Sequence, residues 1–226
     1  MPKSRHTRKK PVPTKKRKEF LQKNLNELNK EIATKAKLIA VSKTYPASDI
    51  KLAYELGQRD FGENKVQELA QKAAELVKTC PEIRWHLIGP LQSNKINLLT
   101  KVPHLYAIHS IDSLKILDKI HGKTQAKLFL QVNTSGEEEK HGFAINEVTQ
   151  ELIRKYNIYG LMTLSKIRTE NFETDAKKCF SQLAQLKKRL NPELKLSMGM
   201  SSDYKMALEL GSDYLRIGSL IFGERS

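Results

Sequence analysis

The sequence contains few cysteines and few aromatic residues, and it lacks a long hydrophobic run. No stretch approaches the about 20 consecutive apolar residues that a membrane-spanning helix needs, and no apolar segment follows the basic N-terminus as a secretory signal requires. Only Cys80 and Cys179 occur, and neither lies in a CxxC or histidine-rich segment that would suggest a disulfide framework or a metal site. These absences predict a cytoplasmic protein without a metal.

The first 18 residues lack acidic side chains and have almost no apolar ones. They carry nine lysines and arginines and three prolines, so we predict a disordered basic tail over residues 1–18. Such a tail could bind nucleic acid or another acidic surface non-specifically through counterion release, or it could simply keep the chain soluble. Its Lys- and Pro-rich composition argues against a mitochondrial transit peptide.

Residues 19–226 repeat one pattern: a short apolar run, a polar or glycine-containing end, and a helical segment. The length suits one sizeable domain. Eight short runs alternating with helices predict an α/β protein that forms a single closed (β/α)8 TIM-type barrel. The predicted strands are Leu38–Ser42, Asp60–Gly62, Arg84–Ile88, Leu105–His109, Lys127–Asn133, Tyr159–Leu164, Lys195–Met198 and Tyr214–Ile217; the second is the weakest.

Between these strands, apolar residues recur at the spacing of an α-helix. An open doubly wound sheet is the alternative, but no G-x-G-x-x-G motif follows an early strand. Ser48 is the predicted N-cap of the second helix. The predicted helices are 19–35, 50–56, 65–78, 94–101, 112–122, 145–156, 172–190 and 202–210.

A lysine stands at the end of the first strand, in the stretch LIAVSKTYP over residues 38–46. Four apolar residues lead to Ser42 and Lys43, and Pro46 cannot continue a central strand. Burial of an ammonium group is costly, and desolvation lowers its pKa, which makes the neutral amine available for Schiff-base chemistry. The alternative is a lysine that extends from the strand end into water.

Polar and glycine residues follow the other predicted strands in the same way. Because the chemistry of such barrels lies at the carboxyl ends of the strands, we expect these residues to meet at one rim. Capping and turn residues account for part of the pattern, but not for Lys43, His86 and Arg216, which stand within or at the edge of strands. The predicted rim positions are Lys43, Gly62–Asn64, His86 with Gly89 and Pro90, His109 and Ser110, Asn133–Gly136, Met162 and Thr163, Ser197–Ser201, and Arg216 with Gly218 and Ser219.

The last two predicted strands end in small residues that suit a phosphate group. SMGMS covers Ser197–Ser201, and Gly218 and Ser219 follow the eighth strand. Backbone N–H groups of small residues at this place in a barrel bind phosphate, often with a short extra helix. Residues 219–222 are the predicted extra helical turn.

A lysine and a phosphate cradle at one rim allow two chemistries. One is a Schiff base with a phosphorylated sugar, as in aldolases, and the other is a Schiff base with pyridoxal 5′-phosphate (PLP). Arg216 favours PLP, because an arginine is a known partner of the pyridine nitrogen. An arginine that keeps its proton leaves that nitrogen unprotonated and the ring a poorer electron sink.

Several motifs resemble those of the PLP homeostasis protein family, also called the YggS/PROSC family, and the resemblance covers residues 20–226. It implies a single-domain barrel like the N-terminal domain of alanine racemase. The motifs are AVSKTYP (40–46), FGENKVQE (61–68), WHLIGPLQSNK (85–95), IHSID (108–112), QVNTSGEEEKHG (131–142), GLMT (160–163), LSMGMSSD (196–203) and RIGSLIFGER (216–225).

The resemblance also implies a role for each residue of the site. Lys43 would hold PLP covalently as a Schiff base, and Arg216 would face the pyridine nitrogen. Asn64 and His86 would lie near the ring. The phosphate would be bound by Ser197, Ser201, Gly218 and Ser219.

Family members are thought to buffer or deliver PLP, a form of vitamin B6, to PLP-dependent apo-enzymes without robust turnover. The alternative is a weak PLP-dependent racemase or lyase, which needs a second base over the opposite ring face; His86 is the predicted candidate. The resemblance to racemase ends with the chain, before the dimer-forming β-domain, so we expect a monomer. Tyr45 stands where many members have another residue, and Lys140 is a second rim lysine with either a PLP-accepting or a merely solvated role.

Overall fold

Eight parallel strands close into a barrel in the computed structural model, which describes residues 14–137, 141–166 and 169–224. Each strand pairs with its neighbours in chain order, and β8 closes the barrel against β1. The predicted TIM-type fold is confirmed, including the weakest strand. The strands are β1 Lys37–Val41, β2 Asp60–Glu63, β3 Arg84–Leu87, β4 Leu105–Ile111, β5 Lys127–Gln131, β6 Gly160–Met162, β7 Lys195–Ser197 and β8 Tyr214–Ile217.

Helices precede β1 and follow every strand, as the apolar spacing predicted. The longest are 19 residues each, and a three-residue 3₁₀ turn, Ser93–Lys95, leads into the fourth. The short helix predicted after β8 is confirmed. The helices are α1 Thr14–Ile32, α2 Ala47–Glu55, α3 Val66–Leu76, α4 Ile96–Leu99, α5 Leu114–Ile120, α6 Gln150–Lys155, α7 Phe172–Leu190, α8 Tyr204–Glu209 and α9 Ser219–Phe222.

Apolar side chains form two clusters, as expected for a barrel wrapped by helices. The larger lies between the strands and the helices, and the smaller lies inside the barrel around Phe129 and Tyr214. The barrel interior also holds polar side chains: Asp60, His86 and His109 are 0 to 5% exposed. Since buried polar groups are costly unless they are hydrogen-bonded, their partners determine what this interior can do.

The first helix begins at Thr14, which corrects the predicted tail boundary at residue 18. Arg17 donates from Nη2 to Asp49 Oδ2 at 2.6 Å, and its guanidinium lies over the Tyr45 ring. These contacts with α2 and the turn before it order residues that composition alone assigned to the tail. Residues 1–13 of the predicted tail, like Lys140, lie outside the described residues.

The second helix begins two residues earlier than a Ser48 cap would allow. Pro46 is the N-cap and Ala47 is the first helical residue, so the prediction of Ser48 as the cap was wrong. Proline lacks an N–H, and it is well tolerated where a helix leaves that group without a partner. Across residues 14–137, 141–166 and 169–224, no helix is both long and apolar enough to cross a membrane.

Candidate functional site

Lys43 lies two residues beyond β1, at the carboxyl end of the barrel. The buried Ser42 continues the sheet with its amide, which donates to the Gly62 carbonyl at 3.0 Å. The chain then turns, since the Tyr45 amide donates back to the Ser42 carbonyl at 3.1 Å. Thr44 has a φ of 71°, which is rare for a residue other than glycine and is kept only where its surroundings hold it. The turn leaves Lys43 half-buried at the rim.

Three charged residues hold both neighbours of Lys43. Lys72 Nζ donates to the Ser42 carbonyl at 2.8 Å, and to Glu63 Oε1 and Glu68 Oε1 at 2.7 Å each. Glu68 Oε1 also accepts from the Thr44 amide at 2.7 Å. The cluster Glu63–Glu68–Lys72 therefore binds the turn on each side of the lysine and holds the backbone that carries it.

Burial dominates the electrostatics of this cluster. Glu63 is fully buried, and desolvation raises its pKa to about 7, although Lys72 and the Ser42 hydroxyl both stabilise the carboxylate. The Ser42 hydroxyl donates to Glu63 Oε1 at 2.7 Å. A carboxyl group whose pKa is raised thus accepts a hydrogen bond from Ser42, the residue before the rim lysine.

Arg216 lies on β8 and is almost fully buried. Its Nη1 donates to Ser197 Oγ at 2.8 Å, and its Nη2 donates to the Thr163 carbonyl at 2.9 Å. Burial lowers the pKa of Arg216 to about 10, and nearby Asp203 opposes the shift. The guanidinium therefore remains protonated at neutral pH, in a fixed orientation.

The loop after β7 is held by one buried aspartate. Asp203 accepts from the Met200 amide and from the Ser165 hydroxyl, each at 2.5 Å. The Arg216 amide donates to the Gly199 carbonyl at 2.9 Å, which joins this loop to β8. The backbone around Ser201 is thereby fixed beside the arginine.

The end of β8 lies close to the end of β1. A Cβ on Gly218 would lie 3.2 Å from the Val41 carbonyl oxygen, a contact tighter than side chains normally make. Beyond it, Tyr45 stacks on Phe222 with ring centroids 4.9 Å apart and donates to the Gly223 carbonyl at 2.6 Å. Tyr45 thus connects the lysine turn to α9 rather than to the rim cavity.

A cavity of about 610 Å³ opens among these strand ends. Its apolar wall includes Ile88, Val132 and Leu164. Most of the residues predicted for the site line it together: Lys43, Asn64, Ser201, Arg216, Gly218 and Ser219.

Two predicted site residues, His86 and Ser197, do not line this cavity. His86 and Ser197 are both fully buried inside the barrel. His86 Nε2 lies 2.9 Å from Asp60 Oδ1, and Ser197 lies beneath Arg216 as its hydrogen-bond acceptor. Both stand near strand ends, but their side chains belong to a layer of the barrel interior below the cavity.

Three residues that were not predicted for the rim also line the cavity. Asp112 follows β4, and Gln131 and His141 come from the end of β5 and its loop, as does the predicted rim residue Asn133. His141 Nδ1 lies 3.9 Å from Asp112 Oδ2, and its side chain is 77% exposed. The rule that placed Lys43 at the rim also applies to Asp112 and Gln131, which lie at the carboxyl ends of β4 and β5. His141 lies ten residues beyond β5, and only the folded loop brings it to the cavity.

A second depression of about 630 Å³ lies between the loop that follows β5 and helix α7. It shares Asn133 with the cavity, but its wall comes from that loop and from α7, including Asp175 and Lys178. Neither the rim lysine nor the buried arginine reaches it, so the cavity over the barrel is the candidate site.

The closed barrel, with a lysine after β1 and an arginine on β8 at one cavity, is of the alanine-racemase type, as its family match shows. The sequence matches the family described as "Alanine racemase, N-terminal domain" over residues 18–226. The crystal structure of alanine racemase from E. faecalis shares this fold with a TM-score of 0.72 at 16% identity. The match covers 95% of this chain and 59% of that one.

Two further relatives are more similar in sequence. The human pyridoxal phosphate homeostasis protein is 41% identical over 215 residues, which cover 85% of this chain and 78% of the human one. PipY of Synechococcus elongatus, solved with PLP bound, is 33% identical with a TM-score of 0.77, covering 90% of this chain and all of PipY. The chain belongs to the pyridoxal phosphate homeostasis protein family.

Proposed function

We propose that this protein binds PLP in the rim cavity, holds it as a Schiff base on Lys43, and acts in intracellular PLP homeostasis and delivery. The observation that carries the proposal is the meeting of Lys43 and Arg216 at one cavity. The PLP-bound structure of the relative PipY and the name of the human relative support it.

The described residues fit the chemistry of PLP. When bound, PLP supplies an aldehyde that condenses with a lysine amine and a pyridine ring that can draw electrons from an attached carbon. Lys43 offers the amine, half-buried and fixed through both of its neighbours. Arg216 offers a protonated donor for the pyridine nitrogen, and because it keeps its proton it would leave that nitrogen unprotonated.

The phosphate group would lie against the loops after β7 and β8. Ser201, Gly218 and Ser219 line this side of the cavity, and small residues leave backbone N–H groups accessible to an anion. We therefore assign these three residues, with Asn64 near the ring, to the cofactor. Ser197 supports Arg216 from below instead of touching the phosphate.

A carrier role fits the groups that reach the cavity. Racemisation needs an acid or base on each side of the carbanion. The titratable side chains among the described cavity residues are Lys43, Asp112, His141 and Arg216, and the predicted second base, His86, is buried below. The Asp112–His141 pair is the observation that favours the alternative of weak racemase or lyase activity.

The test is a visible absorption spectrum of the purified protein with added PLP, then borohydride reduction and peptide mapping. We expect a yellow protein with the reduced adduct on Lys43, and neither colour nor adduct in Lys43→Ala. Lys101→Ala is the matched control, because Lys101 is exposed and lies outside the cavity. A colourless protein with Lys43 unmodified would contradict the proposal.

Transfer and turnover are measured on the same material. The loaded protein should reactivate a PLP-dependent apo-enzyme, which supports delivery. With L-alanine in deuterated water, we expect no exchange at Cα above the level of free PLP. Exchange that disappears in His141→Ala would establish the racemase alternative.

A further inference from the structure

A chain of hydrogen bonds runs through the barrel interior from Arg216 towards the opposite end of the barrel. Arg216 Nη1 donates to Ser197 Oγ at 2.8 Å, and Ser197 Oγ lies 2.9 Å from His109 Nδ1. The His109 ring stacks on Phe129 with centroids 4.2 Å apart, so apolar surface surrounds this first half of the chain.

The second half links the two histidines to an aspartate. His109 Nε2 lies 2.9 Å from His86 Nδ1, and His86 Nε2 lies 2.9 Å from Asp60 Oδ1. Arg84 donates to both oxygens of Asp60, at 2.8 and 2.5 Å, and is 41% exposed. Strands β2, β3, β4, β7 and β8 thus each contribute to one connected chain.

The ends of the chain fix its direction. A guanidinium can only donate hydrogen bonds, and an ionised carboxylate can only accept them. If both imidazoles are neutral, His86 must donate from Nε2 to Asp60 and accept at Nδ1 from His109 Nε2. His109 then accepts at Nδ1 from the Ser197 hydroxyl, whose oxygen accepts from Arg216. Every group in the chain has a partner in this assignment.

The electrostatics support neutral imidazoles above an ionised aspartate. Burial lowers the pKa of His86, against the attraction of Asp60. Burial and the proximity of His86 and Arg216 lower the pKa of His109 well below its usual value. Burial would raise the pKa of Asp60, but hydrogen bonds from Arg84 and His86 outweigh it and lower that pKa below its ordinary range.

A protonated His86 would break the assignment. It would donate from both nitrogens, His109 would have to donate towards Ser197, and the Ser197 hydroxyl hydrogen would lose its acceptor in the chain. An unpaired buried donor is destabilising, because it has given up its hydrogen bond to water without gaining another. Ser197 could still accept from Arg216, but with its oxygen shared between two donors and its hydrogen unpaired.

We propose that Asp60, His86 and His109 are positioning residues for Arg216: they hold both imidazoles in the Nε2–H form and so keep the Ser197 oxygen turned to the guanidinium. The inference deepens the proposed function, because it states what orients the donor that would face the PLP ring. None of the three positioning residues lines the cavity, so they act only through Arg216.

The test is ¹⁵N NMR of the imidazole nitrogens in the protein without cofactor, from pH 6 to 8. We expect both His86 and His109 to be neutral and protonated at Nε2 across this range. A proton on Nδ1 of either ring, or titration of either ring in this range, would overturn the inference. Because no PLP is present, this result is independent of whether the protein binds the cofactor.

Two variants separate positioning from simple stabilisation. Asp60→Leu removes the acceptor, and Arg84→Met removes the ion-pair partner but leaves Asp60 to accept from His86. At pH 8 we expect a mixture of the Nδ1–H and Nε2–H tautomers of His86 and His109 in Asp60→Leu. In Arg84→Met we expect only the Nε2–H tautomer. If the two variants changed the tautomers of the histidines equally, Asp60 and Arg84 would form a merely structural ion pair, and the inference would be overturned.

PLP binding to the same variants gives the second readout. We expect the dissociation constant, measured from the visible band, to rise about tenfold in Asp60→Leu, as for loss of one well-oriented hydrogen bond to a charged group. The dissociation constant of Arg84→Met for PLP should stay within about twofold of the wild-type value, well below the tenfold change that corresponds to 1.4 kcal/mol. If Asp60→Leu does not fold, the wild-type tautomers still decide the inference; if the wild type binds no PLP, only the proposed function fails.

Discussion

At the scale of single residues, the site depends on how a lysine is held at the end of a strand. A flexible lysine side chain would be poorly oriented for condensation with an aldehyde, because orientation contributes much of the rate of such steps. Here Lys72 binds the carbonyl before Lys43, and Glu68 binds the amide after it. The pair Glu63–Lys72 beneath the turn is buried. Removal of one partner of such a pair strongly destabilises the folded protein, because the other is left buried without its partner.

Glu63→Gln should change how stability depends on pH. Because the folded pKa of Glu63 is raised to about 7 from a usual 4.5, the folded protein binds more protons than the unfolded chain between those values. Wild-type stability relative to the variant should therefore fall as pH rises through this window, by roughly 2–3 kcal/mol in total.

Urea denaturation of both proteins at pH 5, 6, 7 and 8 measures this difference. The histidines are common to both proteins, so their own pH dependence cancels in the comparison. A constant difference across the four pH values would contradict a raised pKa for Glu63.

At the scale of elements, the ends of neighbouring strands lie so close together that some positions have no room for a side chain. A Cβ on Gly89, just after β3, would lie 2.3 Å from the Asn64 carbonyl oxygen. On Gly62 in β2 it would lie 2.9 Å from Ile39 Cγ2, which is a side-chain methyl group and not backbone. Asn64 thus owes its place at the cavity to a glycine in the neighbouring loop.

Gly89→Ala should lower the free energy of unfolding by roughly 2–3 kcal/mol, because the backbone of two loops must separate. It should also weaken PLP binding through displacement of Asn64. Gly62→Ala is the matched control and should cost less, since the overlap there is smaller and is with side-chain methyl groups instead of backbone. Urea denaturation of the two variants gives the comparison, and an equal or larger loss in Gly62→Ala would contradict it.

At the scale of the whole molecule, charge is concentrated at the N-terminus while the barrel carries the site. The formal net charge is +15, and residues 1–13 contribute five lysines and arginines without an acid. Residues 14–18 contribute four more, but Arg17 packs against Asp49 and Tyr45 as part of α1. The basic segment and the fold therefore overlap over residues 14–18.

Removal of residues 1–13 should weaken non-specific DNA binding and leave PLP binding unchanged. Five fewer cations should make the slope of log affinity against log salt concentration shallower by up to about 4. Removal of residues 1–18 should in addition lower the free energy of unfolding by about 1 kcal/mol, since the partly buried contacts of Arg17 are lost. An unchanged salt slope after removal of residues 1–13 would contradict a role of this segment in DNA binding.

The sequence by itself determined the barrel and the main residues of its rim. Each strand is a short apolar run with a polar end, and this pattern is local, so it can be recognised before the fold is known. Once eight such runs alternate with helices, their carboxyl ends must meet, which placed Lys43 and Arg216 at one cavity. The helix boundaries near Thr14 and Pro46 were missed, because Arg17 and Asp49 meet only in the folded chain.

Only the tertiary structure decided which strand-end residues reach the cavity. His86 and Ser197 resemble rim residues in sequence, but side chains of neighbouring strands fill the barrel in layers, and these two fall in the layer below. The layer depends on strand tilt and register, which no local pattern encodes. The same geometry brings Asp60, His86, His109 and Ser197 into one hydrogen-bonded chain although they are far apart in sequence.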